Sequence, residues 1–159
     1  MHIHQPQSFS GARPRLTVAA IAERDGRFLL VEERSAAGSL VLNQPAGHVE
    51  HGETLLEAVI RETFEETGWS FRPEFLVGVY LWKHPSGQNS YLRVSFAGAV
   101  EAHDPESALD EGIERALWLS RDELMARRDR LRSPMVIRTI DDYLAGERYP
   151  LTVLKSLLS

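Results

Sequence analysis

A chain of 159 residues carrying 18 Lys+Arg against 23 Asp+Glu has the length of one domain and a formal charge of −5, which excludes a surface built for generic polyanion binding. The absence of cysteine excludes disulfides, thiolate metal sites, iron–sulfur clusters and cysteine nucleophiles, so a metal can sit only on oxygen or imidazole. The longest apolar runs, residues 16–21 and 75–82, are far too short for a bilayer-spanning helix, so no membrane partner and a cytoplasmic location are expected.

Residues 1–14, rich in His, Gln, Ser, Gly and Pro and lacking the apolar run of a secretory signal, read as a flexible leader, with a single domain expected over 15–159. His2 and His4 fall in this leader and read as solvated, because nothing near them in the chain would order them. Residues 15–23 and 27–33 are β-branched or leucine-rich runs joined by Arg24-Asp25-Gly26, and Asp-Gly supplies the positive φ angles of a tight hairpin. A flexible stretch at 35–39, a short strand at 40–43 and a polar Pro/Gly-containing loop at 44–52 follow. From 53 to 67 the period changes: Leu56, Val59, Ile60, Thr63 and Phe64 recur at three- and four-residue spacing, and Gly68 stands where a helix would stop.

Runs at 75–83 and 91–100 flank Pro85-Ser86-Gly87-Gln88-Asn89, whose turn-forming residues predict a second hairpin. Residues 101–114 hold several acids and no Lys or Arg, the composition of an exposed acidic loop, and 115–119 read as a strand. Ser120-Arg121-Asp122-Glu123 fits a capping box opening a helix to about Leu131. Ser133-Pro134 starts a further helix that Gly146 closes. The element pattern is of the α/β class.

The segment from Gly47 to Trp69 carries the chemistry. At about 100° per residue, Glu62, Glu65 and Glu66 fall within an arc of roughly 100° on the side of the helix opposite Leu56, Val59, Ile60 and Thr63. Three carboxylates in such an arc repel one another, and Glu62 with Glu66 is a like-charge i,i+4 pair. A hard divalent cation such as Mg²⁺, which prefers carboxylate oxygen, water and substrate phosphate, would remove that cost. Arg61 stands one turn from both Glu57 and Glu65 and can bridge them.

The spacing runs Gly47, five residues, Glu53, seven residues, Arg61-Glu62, two residues, Glu65-Glu66, one residue, Gly68, then the apolar Trp69. It resembles the signature of the Nudix hydrolases, enzymes that cleave a nucleoside diphosphate linked to another group; the one departure is Thr63, where the family usually has an aliphatic residue. The resemblance implies a Nudix-type αβα sandwich with a mixed β-sheet. It implies Glu62, Glu65 and Glu66 as direct metal ligands joined by the Gly47 carbonyl, with Glu53 and Arg61 orienting them. Mg²⁺ is the expected cofactor and Mn²⁺ the alternative. Glu62 or Glu66 is implied as the general base, although some members draw a Glu from the loop before the last strand. There this chain has Gly112 before Ile113, and Asp110, Glu111 and Glu114 are the acids at hand.

Asn43-Gln44-Pro45-Ala46-Gly47-His48, Leu92-Arg93, Leu131-Arg132-Ser133-Pro134 and Gly146-Glu147-Arg148-Tyr149-Pro150-Leu151 are further similar to a group of bacterial phosphatases within the family. That group implies removal of terminal phosphate from nucleoside tri- and diphosphates and from thiamine-type pyrophosphates; a small-molecule substrate and a monomer or homodimer are expected. The alternatives are an RNA 5′-end pyrophosphohydrolase or a dinucleotide- or ADP-ribose-type pyrophosphatase. Arg34 and Arg93 are the cations expected to reach substrate phosphate, and Trp82, sharing a strand face with Tyr80, is the ring expected to stack on a base. His48 is expected to touch substrate, whereas His51 reads as an exposed loop residue and Trp118 as core. The run Arg127-Arg128-Asp129-Arg130-Leu131-Arg132 reads as a solvated face, so a nucleic-acid partner is not expected.

Overall fold

The computed structural model describes residues 13–158, so most of the expected leader, with His2 and His4, lies outside the described residues. Seven strands and three helices follow in the order β1 (Arg15–Arg24), β2 (Arg27–Arg34), β3 (Leu40–Asn43), β4 (Ala46–His48), α1 (Leu55–Thr67), β5 (Trp69–Lys83), β6 (Ser90–His103), β7 (Ile113–Ser120), α2 (Arg121–Met125) and α3 (Met135–Leu144). The sheet is mixed, with strand order β3-β2-β1-β6-β5, β4 added on β1 and β7 on β2.

β1 and β2 pair only beside their turn, at Glu23↔Phe28 and Arg24↔Arg27. Beyond that the two strands part company. β1 runs parallel to β6 and antiparallel to β4, while β2 runs antiparallel to β3 and β7. Because side chains alternate across a strand, the two faces of this assembly bury separate sets of residues. One set, with Val18, Ala20, Val94 and Phe96, packs under Ala58 and Val59 of α1. The other, with Ile21, Leu30 and Leu42, packs against Leu124 of α2 and Val136 and Ile140 of α3. The result is the expected αβα layering, in which each helix buries one stripe against a sheet face.

Helix α1 is tied at both ends. Thr54 Oγ1 accepts from the Glu57 N–H at 3.1 Å, and Glu57 Oε1 accepts from the Thr54 N–H at 3.4 Å, a reciprocal capping box that the sequence analysis passes over. At the other end Gly68 adopts φ 73° and donates its N–H to Phe64 O at 2.8 Å. Glu57 is therefore engaged in the cap rather than in the expected bridge to Arg61.

Several boundaries differ from expectation. The polar loop at 44–52 contains β4, which pairs with β1 through Thr17↔His48, Val18↔Gly47 and Ala19↔Ala46. β5 starts directly after Gly68 at Trp69 and carries Pro73 at the sheet edge, beside one of its three register shifts against β6. β6 continues to His103 and takes the first residues of the expected acidic loop into the sheet. α2 ends at Met125: Ser120 Oγ accepts from the Glu123 N–H at 3.1 Å, but the Glu123 carboxylate pairs with Arg27 at 3.0 Å instead of closing the box. The chain then passes through a 3₁₀ turn at Arg128–Arg130 and is pinned where the Arg132 N–H donates to Leu42 O at 2.9 Å. On α1, Ile60 and Phe64 are 41% and 38% exposed, so the buried stripe is centred on Ala58, Val59, Thr63 and Thr67.

Candidate active site

The capping box and Gly68 fix the helix whose carboxylates converge, and β4 fixes the loop that meets them. Residue 47 lies so close to α1 that a Cβ there would stand 2.1 Å from Cδ of Glu62. Only glycine leaves room for that carboxylate over the strand.

Arg61 is the hub of the carboxylate helix. Its Nε and Nη2 donate to the two oxygens of Glu53 at 2.6 and 2.9 Å, a bidentate fork. Its Nη1 donates to Glu62 Oε1 at 2.8 Å and to Glu65 Oε2 at 3.0 Å, and Nη2 reaches the His48 carbonyl at 3.1 Å. Glu53 in turn accepts from the Glu50 N–H at 3.0 Å, which fastens the loop to the helix start. Arg61 beside it holds the Glu53 carboxyl below the usual carboxylate range.

Glu66 is only 7% exposed, one oxygen accepting the Ala46 N–H at 2.8 Å. Burial pushes its carboxyl up to about 9. Glu62 is also raised by burial, which outweighs the lowering by Arg61. In both, burial disfavours the anion.

One further acid comes to the carboxylates from outside the helix. The Asp110 N–H donates to the Glu65 carbonyl at 2.9 Å, docking the loop before β7 onto the end of α1. One carboxylate oxygen each of Glu62, Glu65 and Asp110 then lies within 4.8 Å of the others. Among the acids weighed in that loop Asp110 joins the cluster, whereas Glu114 pairs with Arg34 at 2.7 Å.

This donor set fits a hard divalent cation. Of the three clustered carboxylates Arg61 reaches only Glu62 and Glu65, and Glu62 and the adjoining Glu66 are disfavoured as anions by burial. Mg²⁺ and Mn²⁺ take anionic oxygen ligands and complete their octahedra with water, and such an ion would offset the repulsion.

Glu62 also lines a cleft of about 800 Å³, together with Gly47, His48, Glu66, Trp82 and Arg93. His48 has its imidazole pushed down from the usual value by burial and by Arg15. Trp82 stacks on Tyr91 with ring centroids 5.8 Å apart and planes at 23°. Tyr80 on the same strand face is diverted, its hydroxyl donating to Asp142 of α3 at 2.8 Å. Arg93 is buried, with Nη1 donating to Asn43 Oδ1 and Gln44 Oε1 at 3.3 Å each, and burial pushes it down to about 10.

Arg34 is placed elsewhere. It is exposed and engaged by Glu114 and by the Gly38 carbonyl at 3.3 Å, while its chain neighbours Glu33 and Ser35 line the cleft. Arg132, read from sequence as part of a solvated basic face, lines the cleft instead. The remaining basic run behaves as expected: Arg127 and Arg128 donate to the Glu123 and Met125 carbonyls, and Arg130 pairs with Glu32. Trp118 packs edge-on to Trp69 at 5.9 Å beside the core.

The sequence pattern of the NUDIX domain family matches residues 13–139. The chain is 39% identical over 142 residues to the phosphatases NudJ of Shigella boydii and of Escherichia coli K12, covering 89% of this chain and 91% of each relative. Among solved structures, a NUDIX hydrolase from Nitrosomonas europaea superposes with a TM-score of 0.89 at 49% identity, covering 91% of this chain and 97% of that one. A UDP-X diphosphatase superposes with a TM-score of 0.69 at 20% identity, covering 91% of this chain and 70% of that one, which is a likeness of fold alone.

Proposed function

Because the chain belongs to the Nudix hydrolase family, we propose that it is a divalent-cation-dependent phosphatase that removes terminal phosphate from nucleoside tri- and diphosphates and from thiamine-type pyrophosphates. The observation that carries this reading is the meeting of Glu62, Glu65 and Asp110 within 4.8 Å at the rim of a cleft that Glu62 also lines. The likeness to the NudJ phosphatases over 89% of the chain favours terminal phosphate as the leaving fragment.

Phosphoryl transfer asks an enzyme mainly for positioning and for charge opposite the phosphate oxygens. Glu62, Glu65 and Glu66, with the Gly47 carbonyl and with Asp110 added from the facing loop, would hold Mg²⁺ or Mn²⁺. The bound ion supplies positive charge to the phosphate oxygens and acidifies water. Arg61 and Glu53 act by orientation, since one guanidinium fixes the rotamers of Glu53, Glu62 and Glu65 together. Glu62, with one oxygen on Arg61, and Glu66, with one on the Ala46 N–H, each keep a second oxygen free of any hydrogen bond among the described residues, so either could accept a proton from the attacking water. His48 and Trp82 line the cleft on either side of Arg93 and would contact the leaving nucleoside or pyrimidine.

RNA 5′ ends fit less well, because three arginines of the basic run are already engaged by carbonyls or by Glu32. The test is incubation with Mg²⁺ and a panel of nucleoside tri- and diphosphates, thiamine pyrophosphate and dinucleotides, separating orthophosphate from pyrophosphate. Orthophosphate release abolished by EDTA is expected. Predominant pyrophosphate release would overturn the phosphatase reading.

A further inference from the structure

Three side chains on the floor of the sheet are buried with a polar atom that finds no partner among the described residues: Thr17 Oγ1, Arg93 Nε and Ser95 Oγ. They are neighbours. Thr17 stands directly opposite Arg93 in the parallel β1–β6 register, and Ser95 follows two residues along β6 on the same face. Buried polar groups are almost always satisfied, so three orphans side by side call for a missing partner.

The two that line the cleft are Thr17 and Arg93, 6% and 5% exposed. Arg93 has no carboxylate within ion-pair distance among the described residues; its hydrogen bonds go to the neutral oxygens of Asn43 and Gln44. Gln44 is itself locked, donating to the Val136 carbonyl at 2.7 Å, so the guanidinium is held in place by groups that do not neutralise it. Arg132 also lines the cleft, with only Nη1 engaged, by the carboxylate of Glu33, which lines it too, at 3.3 Å. Ser133 and Met135 bring the amino end of the ten-residue helix α3 to the same wall, which adds the partial positive charge of a helix start.

We propose that Arg93, Arg132, Thr17 and the amino end of α3 form a second anion subsite, distinct from the carboxylates, that takes the non-reacting phosphate of a substrate carrying two adjacent phosphates. The inference rests on the hydrolase reading for the identity of the ligand, but the subsite itself needs no metal. It makes the enzyme selective for pyrophosphate-type groups over simple phosphate monoesters, since a monoester reaching the carboxylates leaves the arginines without a partner. It also predicts that orthophosphate binds in the absence of divalent cation.

The experiment is calorimetric titration of the full chain with orthophosphate in EDTA, on wild type, Glu65→Gln, Arg93→Lys and Arg132→Met, followed by kinetics on a nucleoside diphosphate with Mg²⁺. Arg132 is 44% exposed at its side chain, so its variant tests the subsite without disturbing the core. Orthophosphate is expected to bind wild type and Glu65→Gln alike and about tenfold or more weaker to either arginine variant, with KM raised about tenfold and kcat little changed. Equal phosphate affinity in all four proteins, or none in wild type, would overturn the subsite. An enzyme inactive on every nucleotide that still binds orthophosphate through Arg132 would overturn the hydrolase reading and uphold the subsite. An active enzyme whose KM ignores both arginine substitutions would do the reverse.

Discussion

The carboxylate of Glu62 occupies the space where a side chain on Gly47 would begin, with 2.1 Å between Cδ and the position of a Cβ at residue 47. Strand β4 and helix α1 are therefore in contact through a missing side chain, and the placement of Glu62 depends on it. Gly47→Ala is expected to push Glu62 off its position and lower kcat by about 10²-fold, the usual scale for a misplacement of about 1 Å in a reacting group. Circular dichroism should stay that of the wild type, since β4 lies at the rim of the sheet. A variant with wild-type kcat would show that Glu62 acts from some other position.

Arg61 links Glu53, Glu62 and Glu65, and its loss would leave three acids facing one another without a counter-charge. Arg61→Met is expected to cost about 1–3 kcal/mol in urea unfolding in EDTA. Its affinity for Mn²⁺, read by electron paramagnetic resonance, should fall about 10- to 100-fold, as when the partners that orient metal ligands are removed. Arg61→Lys should not restore affinity, because a point charge cannot make the bidentate fork to Glu53 while reaching Glu62.

What could be read from the chain alone follows from distance along it. Glu53, Arg61, Glu62, Glu65 and Glu66 lie within one loop–helix segment, so spacing and helical period suffice to bring them together. Period alone does not show that Glu66 is buried, however, because that burial depends on β4, a three-residue strand containing Gly47 that shows no alternation to betray it. Arg132 sits at the end of a run that reads as a solvated helix face. It reaches the cleft because α2 stops at Met125 and the chain is fastened to Leu42, a contact between residues 90 apart in sequence. Arg34 shows the converse: a cation at a strand end can point to either side of a sheet edge, and here Glu114 of the neighbouring strand holds it outside.

Asp110 is the member of the acidic cluster that spacing could not supply, since its place is set by the backbone bond to Glu65. Asp110→Asn removes one like charge from the group that includes Glu62 and Glu65. In EDTA the variant is expected to be at least as stable as wild type, while its Mn²⁺ affinity drops about tenfold, a loss of one anionic oxygen from a hard-cation site. Glu111→Gln, at an exposed neighbour outside the group, should leave both measurements unchanged. Unaltered Mn²⁺ binding in Asp110→Asn would remove that residue from the site.

Glu32 tests the sheet apart from the chemistry. It is buried on β2 and paired with Arg130 and with Arg115, the latter at 3.3 Å, so it ties β7 and the turn after α2 to the sheet. The bond from Arg130, helped by Arg115 and opposed by burial, holds its carboxyl below the ordinary 4.5. A carboxyl lowered in the folded state is protonated first in the unfolded chain. Its stabilisation is therefore present in full above the unfolded value and is lost as pH falls through the lower folded one. Glu32→Gln is expected to cost about 1–3 kcal/mol at pH 7, as for a hydrogen bond between charged groups with little exposure. The gap between wild type and variant, measured by urea unfolding, should hold from pH 7 to about 5 and close at more acid pH. Because Glu32 does not line the cleft, kcat at neutral pH should be that of wild type. A gap that widened on acidification would mean that the carboxyl is raised rather than lowered by its surroundings, and that burial outweighs the two arginines.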